Sequence, residues 1–243
     1  MRITKIDGVE WFFIFLIILP LSIGTYQRNA LWNSELELWK DCVKKSPRKE
    51  RSHHNLGFVY YELGQLDNAE KELEEALRLN PYYALSMYNL GLVFYRKGSI
   101  DRAIDYYKKA IELDSTFPES FYNIGLAYYQ KGYYFEAIEA YKKFLEAKPD
   151  YENAHNNLGL AYKRLKQWEK AVEAFHEELR YHPKNVYAHL YLGDTYMGLH
   201  DYPKAHEHYK NALNYPHLTD VERIRKVIAS IEKEKLQKKE RKN

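Results

Sequence analysis

Along most of this chain, apolar residues recur at helical rather than strand spacing, in short blocks that alternate with turn residues. Between Ala84 and Lys97, Met87, Leu90, Gly91 and Phe94 share one helix face, and Gly98 supplies a stop. Asp101 then reads as the cap of a second helix, whose buried face is Ala103, Tyr107, Ala110 and Ile111. The same paragraph of sequence is written five times. Glycines stand at 57, 91, 125, 159 and 193 and alanines at 69, 103, 137, 171 and 205, each step being 34 residues. Gly64 and Gly132 repeat the stop, and Pro81, Pro149 and Pro183 close three of the units. A fixed short period without slip predicts an all-α solenoid of five helix-turn-helix repeats over residues 50–219.

Both flanks extend the pattern. In residues 31–49, Leu36, Trp39, Cys42 and Val43 form one face and Pro47 lies one period before Pro81, which predicts a degenerate half-repeat. Residues 220–243 start beside the cap candidates Thr219 and Asp220; Val221, Ile224, Val227, Ile228 and Ile231 predict a capping helix that runs into a charged tail.

Residues 1–30 break the pattern. The run WFFIFLIILPL is apolar all round, and Val9 to Tyr26 gives eighteen residues with only Glu10 charged. At the helical rise this spans about 27 Å, close to the hydrocarbon thickness of a bilayer. A single transmembrane helix at about 9–26 is therefore expected, with Trp11, Phe12, Phe13, Phe15 and Tyr26 as its membrane-anchor residues. A cleavable signal ending near Ser22-Ile23-Gly24 and a buried first helix of the solenoid are the competing readings. Arg2 and Lys5 precede the run and only Arg28 follows closely, which points to an inside N-terminus and an extracytoplasmic (periplasmic) repeat array.

Charge narrows the function classes. The formal net charge is +3, and the final EKEKLQKKERKN alone accounts for that excess, so the body lacks the basic face a nucleic-acid surface needs. No phosphate loop, nucleophile elbow or His/Cys pair at metal-ligand spacing occurs, and no enzyme, metal or cofactor is expected. Cys42 stands alone. His53, His155 and His189 recur with Met87 and Phe121 at one repeat position and read as packing residues.

With large residue, small Gly, aromatic, Ala, aromatic and closing Pro in order at Phe121, Gly125, Tyr128, Ala137, Tyr141 and Pro149, the chain resembles the tetratricopeptide repeat (TPR) family. In that family the other face of each first helix lines a concave groove. The resemblance therefore implies a partner groove of His54, Phe58 and Tyr61, then Tyr88, Leu92 and Tyr95, then Tyr122, Leu126 and Tyr129. It turns polar at Asn156, Leu160 and Lys163 and at Leu190, Asp194 and Met197. The alternative is that these side chains pack on the neighbouring repeat. Asn55, Asn89, Asn123 and Asn157 form a second series, similar to an asparagine ladder that grips peptide backbone, with Tyr191 breaking it. The carboxylate clamp of chaperone-binding members lacks its Lys and Asn here, since His54 and Phe58 take those positions.

The junction QRNALW, followed by a Pro-ended helix and the repeats, resembles that of polytopic protein O-mannosyltransferases and related bacterial membrane proteins. Their catalytic membrane domain has no counterpart here. The expected function is a membrane-anchored scaffold that binds a protein or extended peptide, with membrane lipid around its N-terminal helix. The alternative is an accessory subunit or detached tail of a glycosyltransferase-like membrane enzyme, presenting polypeptide substrate.

Overall fold

A computed structural model of the chain describes residues 34–114, 117–215 and 221–240, with side chains to residue 233. The expected transmembrane helix and its anchor residues Trp11, Phe12, Phe13, Phe15 and Tyr26 lie outside the described residues. Among the described residues the secondary structure is entirely helical, and no helix is long and apolar enough to cross a membrane. Contacts divide the chain after Gly98 into two compact units.

The first unit holds α1 (Glu35–Lys45), α2 (Glu50–Glu62), α3 (Leu66–Leu79) and α4 (Ala84–Arg96). Ser34 caps α1 by accepting from the Glu37 N–H, and Glu35 and Glu37 at one end with Lys44 and Lys45 at the other complement the helix dipole. Its apolar face of Leu36, Trp39, Cys42 and Val43 is half-buried. Helices α2 and α3 pack closely because Gly57 has no side chain: a Cβ there would stand 2.7 Å from Leu73 Cγ. Ala69, Leu73 and Ala76 are fully covered.

The second unit holds α5 (Ile100–Leu113), α6 (Pro118–Lys131), α7 (Tyr134–Ala147), α8 (Ala154–Arg164), α9 (Trp168–Tyr181), α10 (Val186–Gly198), α11 (Tyr202–Leu213) and α12 (Val221–Glu240). Three antiparallel pairs repeat the glycine contact, Gly125 against Tyr141, Gly159 against Phe175 and Gly193 against Tyr209. Their shared core includes Phe144, Phe175 and Tyr209, and α12 closes its end with Ile224 and Ile231.

The turn between paired helices differs from the sequence expectation in one detail. Helix α5 begins at Ile100 with Ser99 as its cap residue, so Asp101 sits inside the first turn instead of capping it. Left-handed backbone at Gly64, Gly98 and Gly132 ends three first helices early enough for this. The same turn position holds Lys166 and His200, both left-handed, with φ of 57° and 59°.

Candidate partner-binding surface

In the first unit the predicted stripe is divided between surface and interior. His54 is 4% exposed, corrected from groove wall to packing residue: its Nδ1 lies 2.9 Å from Ser86 Oγ and its ring 4.9 Å from that of Tyr83. Burial, helped by Arg51, lowers its pKa to about 4, so the ring is neutral at neutral pH. Tyr61 is also buried, because the Arg96 guanidinium covers its ring at 3.9 Å while Arg96 Nη1 donates to the Tyr61 carbonyl. Phe58 remains 40% exposed, and Tyr88, Leu92 and Tyr95 are half-buried. An accessible apolar row thus survives on α2 and α4, with its two His54 and Tyr61 positions withdrawn into the fold.

In the second unit, Tyr122, Leu126 and Tyr129 are half-buried on α6. Tyr122 leans on Phe144 at 5.0 Å and Tyr151 at 5.3 Å, and these two meet edge-on at 5.0 Å, forming a closed aromatic triad. Its hydroxyl accepts from Asn157 Nδ2 at 2.8 Å. The Tyr129 hydroxyl accepts from Arg164 Nε at 3.1 Å. The packing alternative therefore accounts for part of each side chain and leaves the remainder facing outward.

The asparagine series does not present a uniform ladder. Asn89 is 4% exposed, Asn157 spends its amide on Tyr122, and Asn55 and Asn123 are half-buried. Helical spacing carries no information on the neighbouring helix that covers these side chains.

One repeat further on, the aromatic triad is replaced position for position by a polar one. Tyr122, Phe144 and Tyr151 become Asn156, Glu178 and Asn185. The Glu178 carboxylate is fully buried and accepts from the Asn153 N–H at 2.9 Å, from the Asn156 N–H at 3.4 Å and from Asn185 Nδ2 at 3.0 Å. It thereby sits at the N-terminus of α8, where free N–H groups and the helix dipole favour an anion. Asn185 also caps its own helix, accepting from the Ala188 N–H. Sequence spacing offered no sign of this network, whose partners lie 7 to 32 residues apart on different elements.

The polar end of the stripe is likewise consumed internally. Asp194 accepts from Tyr209 at 2.6 Å, Lys163 at 3.4 Å and Arg223 at 3.4 Å, joining α8, α10, α11 and α12. Burial and the bond to Asp194 push the Tyr209 hydroxyl well above its ordinary pKa. Among the described residues, no cluster of His, Cys, Asp or Glu is arranged to hold a metal.

Comparison with known proteins agrees with this geometry. Residues 57–98, 91–132 and 127–166 match the family described as TPR repeat, and residues 152–185 match the tetratricopeptide repeat. Among curated proteins, a protein O-mannosyl-transferase of Caenorhabditis elegans is 36% identical over 67 residues, and one of Drosophila melanogaster is 33% identical over 69. Each alignment covers 28% of this chain but only 10% and 7% of those proteins. Among solved structures, YrrB, titled a TPR protein with an unusual peptide-binding site, superposes with a TM-score of 0.65 at 19% identity, covering 74% of this chain and 92% of that one. MamA of Desulfovibrio magneticus gives 0.65 at 23% identity over 68% and 93%, and PilF of Pseudomonas aeruginosa 0.62 at 22% over 75% and 88%.

Proposed function

We propose, from the premise that the chain belongs to the tetratricopeptide repeat family, that it is a membrane-anchored scaffold holding a protein segment on the first-helix face of its repeats. The observation that carries this reading is the accessible apolar row of Phe58, Leu92 and Tyr95, which ordinary packing has not closed. Arg96 braces Tyr61 beside it, so the row is pre-organised rather than loose. The buried His54 and Tyr61 support it from below. Anchoring rests on the apolar run of residues 9–26, with the repeats outside the cytoplasm by the charge bias around that run.

The test is photocrosslinking from position 92 in native membranes, compared with Phe58→Ala plus Tyr95→Ala. Loss of the crosslinked protein with little change in thermal unfolding supports capture by this row; equal loss of stability assigns these residues to packing. Carbonate extraction tests the anchor separately, since the full chain should stay in the pellet and a chain lacking residues 1–33 should not.

The likeness to two protein O-mannosyl-transferases favours a second reading, an accessory component that presents polypeptide to a membrane glycosyltransferase. Copurification with such an enzyme and a change in its turnover would support it. A stable complex free of any transferase would sink it.

A further inference from the structure

Two open cavities, of about 590 and about 610 Å³, occupy the same place in successive repeats. The first lies among α5, α6 and α7 and the second among α7, α8 and α9, with every wall residue of the first except Phe135 displaced by one period. Phe121 becomes His155, Ile124 becomes Leu158, Tyr128 becomes Tyr162 and Ile111 becomes Leu145. Both share a small residue at a position that other repeats fill. His53 faces Glu72, and His189 faces His208, each partner nineteen positions later. Phe121 and His155 have Ala140 and Ala174 at that position, and a methyl group leaves the space unfilled. These walls are distinct from the groove: on α6, the mean direction of Phe121, Ile124 and Tyr128 is roughly 130° from that of Tyr122, Leu126 and Tyr129.

The rims say what chemistry would fill the space. Lys108 lies 5.8 Å over Tyr128, Lys143 5.6 Å over Phe121 and Lys170 5.7 Å over Tyr162, Lys142 is bridged to Glu139, and each rim carries two lysines against three glutamates, a net negative charge. Glu112 and Glu136 on the first rim, and Glu146 and Glu173 on the second, have no ion-pair partner among the described residues. An apolar floor beneath two unpaired carboxylates complements a bulky apolar side chain flanked by cations.

The geometry points to a second docking surface, across α5 to α9, for a protein segment that inserts aromatic or aliphatic side chains flanked by Lys or Arg into these two cavities. It is independent of the first-helix row and stands if that row proves to be packing. The probe is the peptide Ac-Lys-Trp-Lys-amide carrying fluorotryptophan, followed by fluorine NMR on the full chain in detergent, beside its Ac-Glu-Trp-Glu-amide counterpart. The basic probe should bind at least tenfold more tightly than the acidic one. Ala140→Tyr with Ala174→His installs what Tyr106 and His208 provide in other repeats, and should weaken binding at least tenfold. Glu136→Lys with Glu173→Lys leaves the floor intact and should reverse the preference between probes. Equal binding of both probes, or undiminished binding to the filled variant, overturns the proposal. So does self-association of the full chain that the filled variant abolishes, since the occupant would then be a second copy.

Discussion

The Nδ1 atoms of His189 and His208, on the paired helices α10 and α11, face each other at 3.1 Å. Only one hydrogen fits between them. His176 meets His208 edge-on at 5.6 Å, Tyr196 stacks on it at 5.6 Å, and Lys204 and Glu207 complete the charged surroundings. Burial first, and then the neighbouring cations, lower all three histidines, His208 to about 4. Neutral rings therefore stabilise the fold above the unfolded value of about 6.5, and that contribution is lost as pH falls toward about 4. Because the cluster is half exposed, solvent reduces the effect to about 1 kcal/mol. Urea unfolding at stepped pH should show this decline, and His208→Gln should flatten it.

His54 makes a similar prediction for the first unit with less solvent screening. Its folded pKa of about 4 means stability is retained above 6.5 and lost on acidification, by up to about 3 kcal/mol. His54→Tyr introduces the residue found at the equivalent positions 88 and 122. This variant should lose less stability than the parent between pH 7 and 4; an unchanged acid limb would show that His54 does not carry the effect.

Replacing Glu178 by Leu strands the Asn153 and Asn156 N–H groups and the Asn185 amide. The expected cost is about 3 kcal/mol, read from chemical denaturation. Installing the whole aromatic set, Asn156→Tyr with Glu178→Phe and Asn185→Tyr, should recover most of that loss. Independent, additive penalties for the three substitutions would contradict the idea that the triads are interchangeable.

At Gly125 an added Cβ would lie 2.5 Å from Tyr141 Cε1. Gly125→Ala should therefore lower stability by about 1–3 kcal/mol through overpacking. Lys166 and His200 test the opposite sign. Glycine relieves the left-handed backbone strain but adds freedom to the unfolded chain, so Lys166→Gly and His200→Gly should each gain about 0.5 kcal/mol by thermal melting.

The repeat framework was legible because small residues at 57, 125, 159 and 193 and at the alanine positions are dictated by close helix approach, which leaves a mark in one letter per repeat. The accessible site was only partly legible. His54 and Phe58 share a stripe by periodicity, yet Tyr83 and Ser86 cover one and not the other. The His189–His208 contact was missed because spacing rules within a helix do not reach nineteen residues across a turn. The missing bulk at Ala140 was visible in the letters, but Ala is equally ordinary as packing; only the walls around it identify a vacancy.

Tyr61–Arg96, Tyr122–Asn157 and Tyr129–Arg164 are among the farthest-reaching side-chain contacts, and each spans 35 residues. Contacts of such short reach make cooperativity a property inherited from neighbour to neighbour. Under pulling force or dilute denaturant, helix pairs should be shed in succession from an end, giving a sawtooth instead of a single rupture. A bound protein lying over several pairs would then act as a splint, and its release could be timed by the loss of one pair.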